Sequence, residues 1–341
     1  MVTSHLLKWH VNVVTAGVTM KILIVGGAGY IGSHVCHAFN DRGDIVSILD
    51  NFSSGSRVNF PENTEVFTGD ILDKPFLKKT LSIGWDGVVH LAAFKAAGES
   101  MVNPGKYAEN NIGGTINLLT AISENGNPPL VFSSSAAIFG EPVKLPIDED
   151  HPKKPENFYG YTKLVIENLL EWYDRLEGLK SAALRYFNAA GYDPAGRITE
   201  PEKNPQNLLP ILMEAAAGIR DGVTIYGDDY DTEDGTCIRD YVHVSDLAEA
   251  HVLAMDYLIR EKTSLKVNLG SESGISVARM VNEAIRITGI DFKHNTGPRR
   301  PGDPANLVAT SALAGKLLGW KASRSDAVSL LESTWRIYSN L

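Results

Sequence analysis

At 341 residues with 43% apolar content, the chain has material for a large buried core, arranged as one large domain or two smaller ones. Its 32 basic residues against 41 acidic ones leave a net charge of -9, which offers no general attraction to nucleic acid or anionic membranes. Cys36 and Cys237 are the only cysteines, too few for a disulfide framework and without a metal-ligand cluster around them, so a reducing cytosol is the expected setting.

Residues 1–19, MVTSHLLKWHVNVVTAGVT, read as a poorly ordered extension, because the apolar run is short and lacks the strongly basic start of a secretory signal. No later segment reaches the roughly 18 apolar residues that a spanning helix requires. From Lys21 onward, short apolar runs alternate with longer helical patterns, which predicts an α/β fold with a parallel sheet wrapped by helices. ILIV, DIVSILD, GVVHLAA, PLVFSSS and SAALRYF read as successive strands. Tyr30 to Arg42, Asp73 to Ser82, Pro104 to Glu124 and Tyr159 to Leu176 read as the helices between them. The Pro-, Gly- and Asn-rich stretch from Ala189 to Asn207 reads as a domain junction and a ligand-side loop.

Between the first strand and the first helix, GGAGYIG places Gly26, Gly29 and Gly32 at G-x-x-G-x-x-G spacing, with Tyr30 and Ile31 in the same turn. Glycines there let the backbone pass close to a pyrophosphate, whose charge meets the amides of the helix N-terminus. Asp50 closes the second strand 24 residues after Gly26, where a carboxylate accepts hydrogen bonds from a ribose diol and repels a 2'-phosphate, favouring NAD over NADP. Arg57, soon after, reads as a solvated surface charge. Further on, SSSA supplies Ser135 at a strand end, and FYGYTK places Tyr159 and Lys163 four residues apart on one helix face. An ammonium near a phenol favours the phenolate, which turns a group of ordinary pKa near 10 into a base near neutral pH. A serine at a strand end is most often a cap, and Tyr-x-x-x-Lys occurs on many exposed helices; their order downstream of a dinucleotide turn is what carries the catalytic reading. His34 and His37 lie one turn apart without a third ligand, so no metal is assigned, and His243 is expected to start or precede a helix.

Taken in order, GGAGYIGSH, Asp50-Asn51, Asp70 in TGDI, FKAAGES, NNIGGT, SSSAAIFGE, YGYTK, LRYFNAAG, TEDGTCIRDYVHV and RRPGD resemble the UDP-glucose 4-epimerase group of the extended short-chain dehydrogenase/reductase family, from Met20 almost to the C-terminus. The resemblance implies a Rossmann-type NAD-binding domain over 20–188, completed by part of 238–270, and a smaller α/β UDP-sugar domain over 189–341. It implies NAD as the cofactor, with Asp50 and Asn51 at the adenosine ribose, Asp70 and Ile71 at the adenine, and Lys95 and Asn110 on the nicotinamide side. Lys95 and Ser135 would also meet the sugar, and Tyr159 with Lys163 would be the catalytic pair. Asn188, Asn207, Leu208, Tyr226, Arg239, Arg300, Asp303 and Leu307 match positions around the UDP-sugar, the arginines gripping the diphosphate and Tyr226 stacking on uracil. Arg300 read alone would be a surface partner of Arg299, and Tyr226 an ordinary strand aromatic. The implied reaction is reversible C4 epimerisation of UDP-glucose and UDP-galactose through a 4-keto sugar, in a cytoplasmic homodimer paired through the helices at 104–124 and 159–176.

Where some members have Tyr, seven residues after the arginine of the RxGD motif, this chain has Leu307, so a 2-acetamido sugar is a further substrate to consider. A 4,6-dehydratase needs an Asp-Glu pair where Ala136 and Ala137 stand. UDP-xylose and UDP-glucuronate share the C4 chemistry and stay open, while a non-catalytic NAD-sensing module has no use for Ser135, Tyr159 and Lys163 together.

Overall fold

The computed structural model describes residues 19–300 and 303–341; the extension read at 1–19 therefore falls, but for its last residue, outside the described residues. Seven parallel strands form the main sheet in the order β10-β6-β5-β4-β1-β2-β3. They are β1 (Lys21–Val25), β2 (Ile45–Asp50), β3 (Glu65–Thr68), β4 (Gly87–His90), β5 (Leu130–Ser135), β6 (Ser181–Tyr186) and β10 (Leu265–Leu269). Most of these strands are buried along nearly their whole length, as expected where helices cover both faces of a parallel sheet. Helix α1 (Tyr30–Arg42) packs with α8 (Val244–Glu261) on one face. Helices α2 (Lys74–Leu81), α5 (Gly114–Ser123) and α6 (Phe158–Glu177) cover the other.

Local chemistry sets these ends. Asp73 caps α2 by accepting from the Phe76 amide, Asn157 caps α6 by accepting from Gly160, and Gly43 and Gly178 end α1 and α6 in left-handed conformations at φ 95° and 76°. The helix expected from Pro104 to Glu124 is one continuous run that changes pitch. After α3 (Ala97–Val102), α4 (Pro104–Tyr107) passes through a π-helical turn at Ala108–Gly113 before α5, a device common at functional sites and invisible to residue spacing.

Beyond β6 the chain builds a second layer. Strand β9 (Ile238–His243) pairs with β7 (Asn188–Ala190), β11 (Gly274–Ser276) and β13 (Asn306–Leu307), while β8 (Val223–Tyr226) pairs in parallel with β12 (His294–Gly297). Helices α7 (Leu208–Ala216), α9 (Val277–Thr288) and α11 (Ala327–Tyr338) close a separate apolar core around Leu209, Met213, Met280 and Leu331. The layers interleave: α8, β10 and α10 (Ala312–Leu318) return to the first core, where Leu247, Val267 and Leu318 pack with Ile22 and Ile48. His243, expected at a helix start, is the N-cap of α8, its Nδ1 accepting from the Ser245 amide.

Helix α6 is fastened by polar groups on its inner face. Glu167, fully buried, accepts from two of the three guanidinium nitrogens of Arg185, Nε and Nη2, at 2.9 and 2.7 Å and from the Ser134 hydroxyl at 2.6 Å, so the helix is bolted to β5 and β6 together. Removing one partner leaves an uncompensated buried charge. Arg185→Leu is therefore expected to lose about 3–5 kcal/mol in urea unfolding. The double variant Arg185→Leu/Glu167→Leu should recover much of that loss, which a double-mutant cycle measures.

Candidate functional site

The site gathers at the carboxyl end of the main sheet, where strand order reverses on either side of β1. Gly26 sits at φ 85°, and a Cβ there would lie 2.5 Å from the Ala92 nitrogen. At Gly32 a Cβ would meet the Gly26 carbonyl oxygen at 2.2 Å, so the turn and α1 pack as closely as glycines allow. Gly29 is the N-cap of α1 with no side-chain cap and no acidic residue in the first turn, which leaves the positive helix end open to an anion, with Ile31 in that turn. This cradle fits a dinucleotide pyrophosphate. Tyr30 begins α1 as expected, but its phenol turns away to donate to the Gly191 carbonyl and packs against Tyr192.

At the adenosine end, the Asp50 carboxylate accepts from the Ala28 and Phe52 amides at 3.0 and 2.8 Å. Burial raises its pKa, with those amides and the nearby Arg57 opposing the rise. Arg57 itself lies 3.8 Å over the Phe52 ring. Asn51 donates to Asp70 at 2.8 Å, and Asp70 turns the chain at Ile71 by accepting from the Leu72 amide, so the expected ribose and adenine residues lie side by side.

Tyr159, Lys163 and Ser135 also come together. Gly160 lets α6 approach: a Cβ there would lie 2.3 Å from the Ala137 carbonyl oxygen, just past the end of β5. A glycine inside a helix costs about 1 kcal/mol relative to alanine, and this one is the sequence signal of a close approach. Lys163, 2% exposed, donates to the Ser133 carbonyl at 2.7 Å and stands 5.8 Å from the centre of the Tyr159 ring. The depression of the phenol is expected from Lys163 together with the positive nicotinamide ring, and without that ring burial dominates both groups. Burial raises the pKa of Tyr159, with a hydrogen bond to Ser135 working against it, and burial lowers Lys163 to about 7. Both groups are withdrawn from water with no anion between them, so each favours its neutral form.

Asn111, which the sequence reading passed over for its neighbour, is the hub of this region. Wholly buried in the π-helical turn, it accepts from the Phe94 amide and donates to the Phe94 carbonyl and to Thr162, tying the loop after β4 to α6. Asn110 donates to it at 2.9 Å. Lys95, next to that pinned loop, forms an ion pair with Glu202.

On the second layer, Arg239 pairs with Asp303, and Leu307 stands opposite Arg239 in the β9–β13 register. Leu307 packs against the small apolar cluster of Ala136, Ile138, Phe139 and Ile147, most of it just beyond Ser135. Asn188 is committed to the Asp240 carbonyl, and Asp240, missed from sequence, holds Ser271 and Ala309 from the centre of this layer. Asn207 caps α7 without using its side chain, and Leu208 packs into the second core. The adjacent arginines separate: Arg299 pairs with Asp229, whereas Arg300 lies 4.1 Å over the Tyr226 ring and pairs with no described carboxylate. Arg300 thus covers one face of the ring that the resemblance matches to uracil. No group of three or more His, Cys, Asp or Glu that could hold a metal occurs among the described residues, and His34 is engaged by the Tyr30 carbonyl and the Asp193 amide.

A family model described as NAD dependent epimerase/dehydratase matches residues 22–270. The UDP-glucose 4-epimerase of Lacticaseibacillus casei is 45% identical over 94% of this chain and 97% of its own length. Among solved structures, UDP-glucose 4-epimerase from Brucella ovis in complex with NAD superposes with a TM-score of 0.91 at 41% identity, covering 93% of this chain and 98% of that one. The UDP-Glc/GlcNAc 4-epimerase of Campylobacter jejuni superposes with a TM-score of 0.83 at 36% identity, covering 94% and 99%.

The lowered pKa of Lys163 has a sign that stability can read. Unfolded chains bind its proton up to about 10.5, whereas the folded one releases it near 7, so stability from this group rises with pH between those values. Nucleotide-free Lys163→Met is therefore expected to melt above the nucleotide-free wild type at pH 6, with the gap narrowing by pH 9 and closing only above about 10.5.

Proposed function

The chain belongs to the NAD dependent epimerase/dehydratase family, and on that premise we propose that it interconverts UDP-glucose and UDP-galactose by inverting C4 of the sugar. The observation that carries the reading is the meeting of Ser135, Tyr159 and Lys163 beside a glycine cradle built for a dinucleotide. The first core is assigned to NAD and the second layer to the nucleotide-sugar. Gly26, Gly29 and Gly32 would hold the pyrophosphate of NAD, Asp50 and Asn51 its adenosine ribose, and Asp70 and Ile71 its adenine. Bound there, NAD supplies a hydride acceptor at C4 and the means to return the hydride to the opposite face.

Every other demand falls on the chain. Tyr159 takes the C4 hydroxyl proton and gives it back after inversion, with Ser135 bridging phenol and sugar. Lys163 holds the nicotinamide ribose, and its ammonium beside the positive ring is what brings the phenol down from its raised value. Arg239 and Arg300 fix the diphosphate so that the hexose alone can turn, with Asn188, Asn207, Leu208 and Asp303 around the nucleotide. Tyr226 receives the uracil. Ala136 and Ala137 deny a dehydratase its acid and base. Leu307, without a phenol and packed against Phe139, leaves the sugar wall apolar, which favours UDP-GlcNAc as a second substrate.

Purified protein given UDP-galactose and no added NAD is expected to form UDP-glucose, read by chromatography. Tyr159→Phe should lose on the order of 10²- to 10⁴-fold in kcat. Absence of UDP-glucose from the wild-type reaction, even with NAD supplied, would sink the assignment. In the same assay UDP-GlcNAc should turn over, and no detectable product would remove the second substrate.

We further propose a homodimer in the cytosol. Support comes from Tyr161, Trp172 and Leu176 on α6 and Ile116 on α5, large apolar side chains left exposed on the two helices expected to pair. Both cysteines are free and buried, in keeping with a reducing compartment, and no described helix is long and apolar enough to cross a membrane. Sedimentation should give twice the 37.1 kDa chain mass, falling to the monomer in Trp172→Glu.

A further inference from the structure

The segment after β7 is tied at residues 199–202 both to the loop after β2 and to the loop after β4. The loop after β2 lies on the glycine turn, with the Ser56 amide donating to the Ala28 carbonyl at 2.9 Å and Gly55 too close to Ala28 for a Cβ. Onto that loop are stitched Thr199 and Glu200. Buried Asn59 accepts from both their amides at 3.1 and 3.0 Å and donates to the Glu200 carbonyl at 2.8 Å, while the Glu200 carboxylate accepts from Ser56 at 2.6 Å. Two residues on, the Glu202 amide donates to the Tyr192 hydroxyl, and the Glu202 carboxylate takes the Lys95 ammonium from the loop after β4.

Strands β2 and β4 are the two neighbours of β1 in the sheet, and the glycine turn leaves β1 between them. A segment anchored to the loop after β2 and to the loop after β4 must therefore pass over the mouth of the glycine turn, where a pyrophosphate would lie. The first anchor is buried and many-bonded. The second is a single ion pair whose lysine is 53% exposed and whose carboxylate is 14% exposed, so it is the end that opens first.

We propose that residues 199–202 form a strap over the dinucleotide groove and that Lys95–Glu202 is its latch, so that Glu202 governs how slowly NAD leaves. The proposal rests on the assignment of the glycine cradle to NAD. It also accounts for the pairing of Lys95 with Glu202: the residue expected beside the nicotinamide is shared with the strap, and release of the cofactor requires that pair to part.

The test follows exchange of bound NAD for an isotopically labelled excess in the purified full chain, read by mass spectrometry of the nucleotide that stays with the protein. Glu202→Gln is expected to exchange about fivefold faster than wild type, the loss of one partly exposed ion pair. Glu202→Asp should fall between them. High salt should speed wild-type exchange and leave Glu202→Gln unmoved, a response that a merely structural role for Glu202 does not give. Equal exchange in wild type and Glu202→Gln, with thermal melts unchanged, would overturn the strap. Wild-type protein that neither carries nor takes up NAD would instead overturn the cofactor assignment beneath it.

Discussion

Much of the site depends on where α6 sits, and α6 is placed by a buried ion pair and not by grease alone. Arg185 and Glu167 meet in a bidentate arrangement that solvent does not reach, with the Ser134 hydroxyl as a further donor to the carboxylate. The cost of burying two charges is offset only if the geometry holds, so the pair tolerates little sliding of helix on sheet. One turn before Glu167 on the same face is Lys163, and one turn before that is Gly160 against the end of β5. Fixing the first therefore fixes the others, and the phenol beside Ser135 inherits its position from a contact that touches no ligand.

The same burial that gives this precision sets the two central groups against their expected charges. Desolvation pushes Tyr159 up and Lys163 down, so the nucleotide-free pocket rests with a neutral phenol and an easily deprotonated amine. On the proposed reading, a dinucleotide with a cationic ring reverses the balance for the phenol, and base strength in this pocket is a property of the loaded protein.

Local spacing carried much into the sequence reading, and tertiary closure carried the rest. The glycine turn, the ends of α1 and the Tyr-x-x-x-Lys face were legible because each rests on neighbours within a few residues. Asn111 was overlooked beside Asn110 because its partners, Phe94 and Thr162, lie 17 and 51 positions away. The π-helical turn left no trace because the residues on either side keep ordinary helical preferences. The partner of Lys95, Glu202, lies 107 positions away in a stretch that reads only as loop, so their pairing is not legible from spacing. In the second layer the strands are short and their partners distant, so little beyond individual residues could be placed there.

The interleaving of the two cores bears on how the protein is born. Strand β6 is buried throughout, and its outer edge is satisfied by β10, whose first residue, Leu265, follows Tyr186 by 79 positions. On a ribosome moving at about 5–20 residues per second, that edge waits roughly 4–16 s for its partner. During this interval SAALRY is an apolar strand with open backbone donors and acceptors, the kind of surface that pairs with another nascent chain. The fold that secures the site so firmly thus has its most vulnerable moment during synthesis, when chaperone shielding of residues 181–186 matters most.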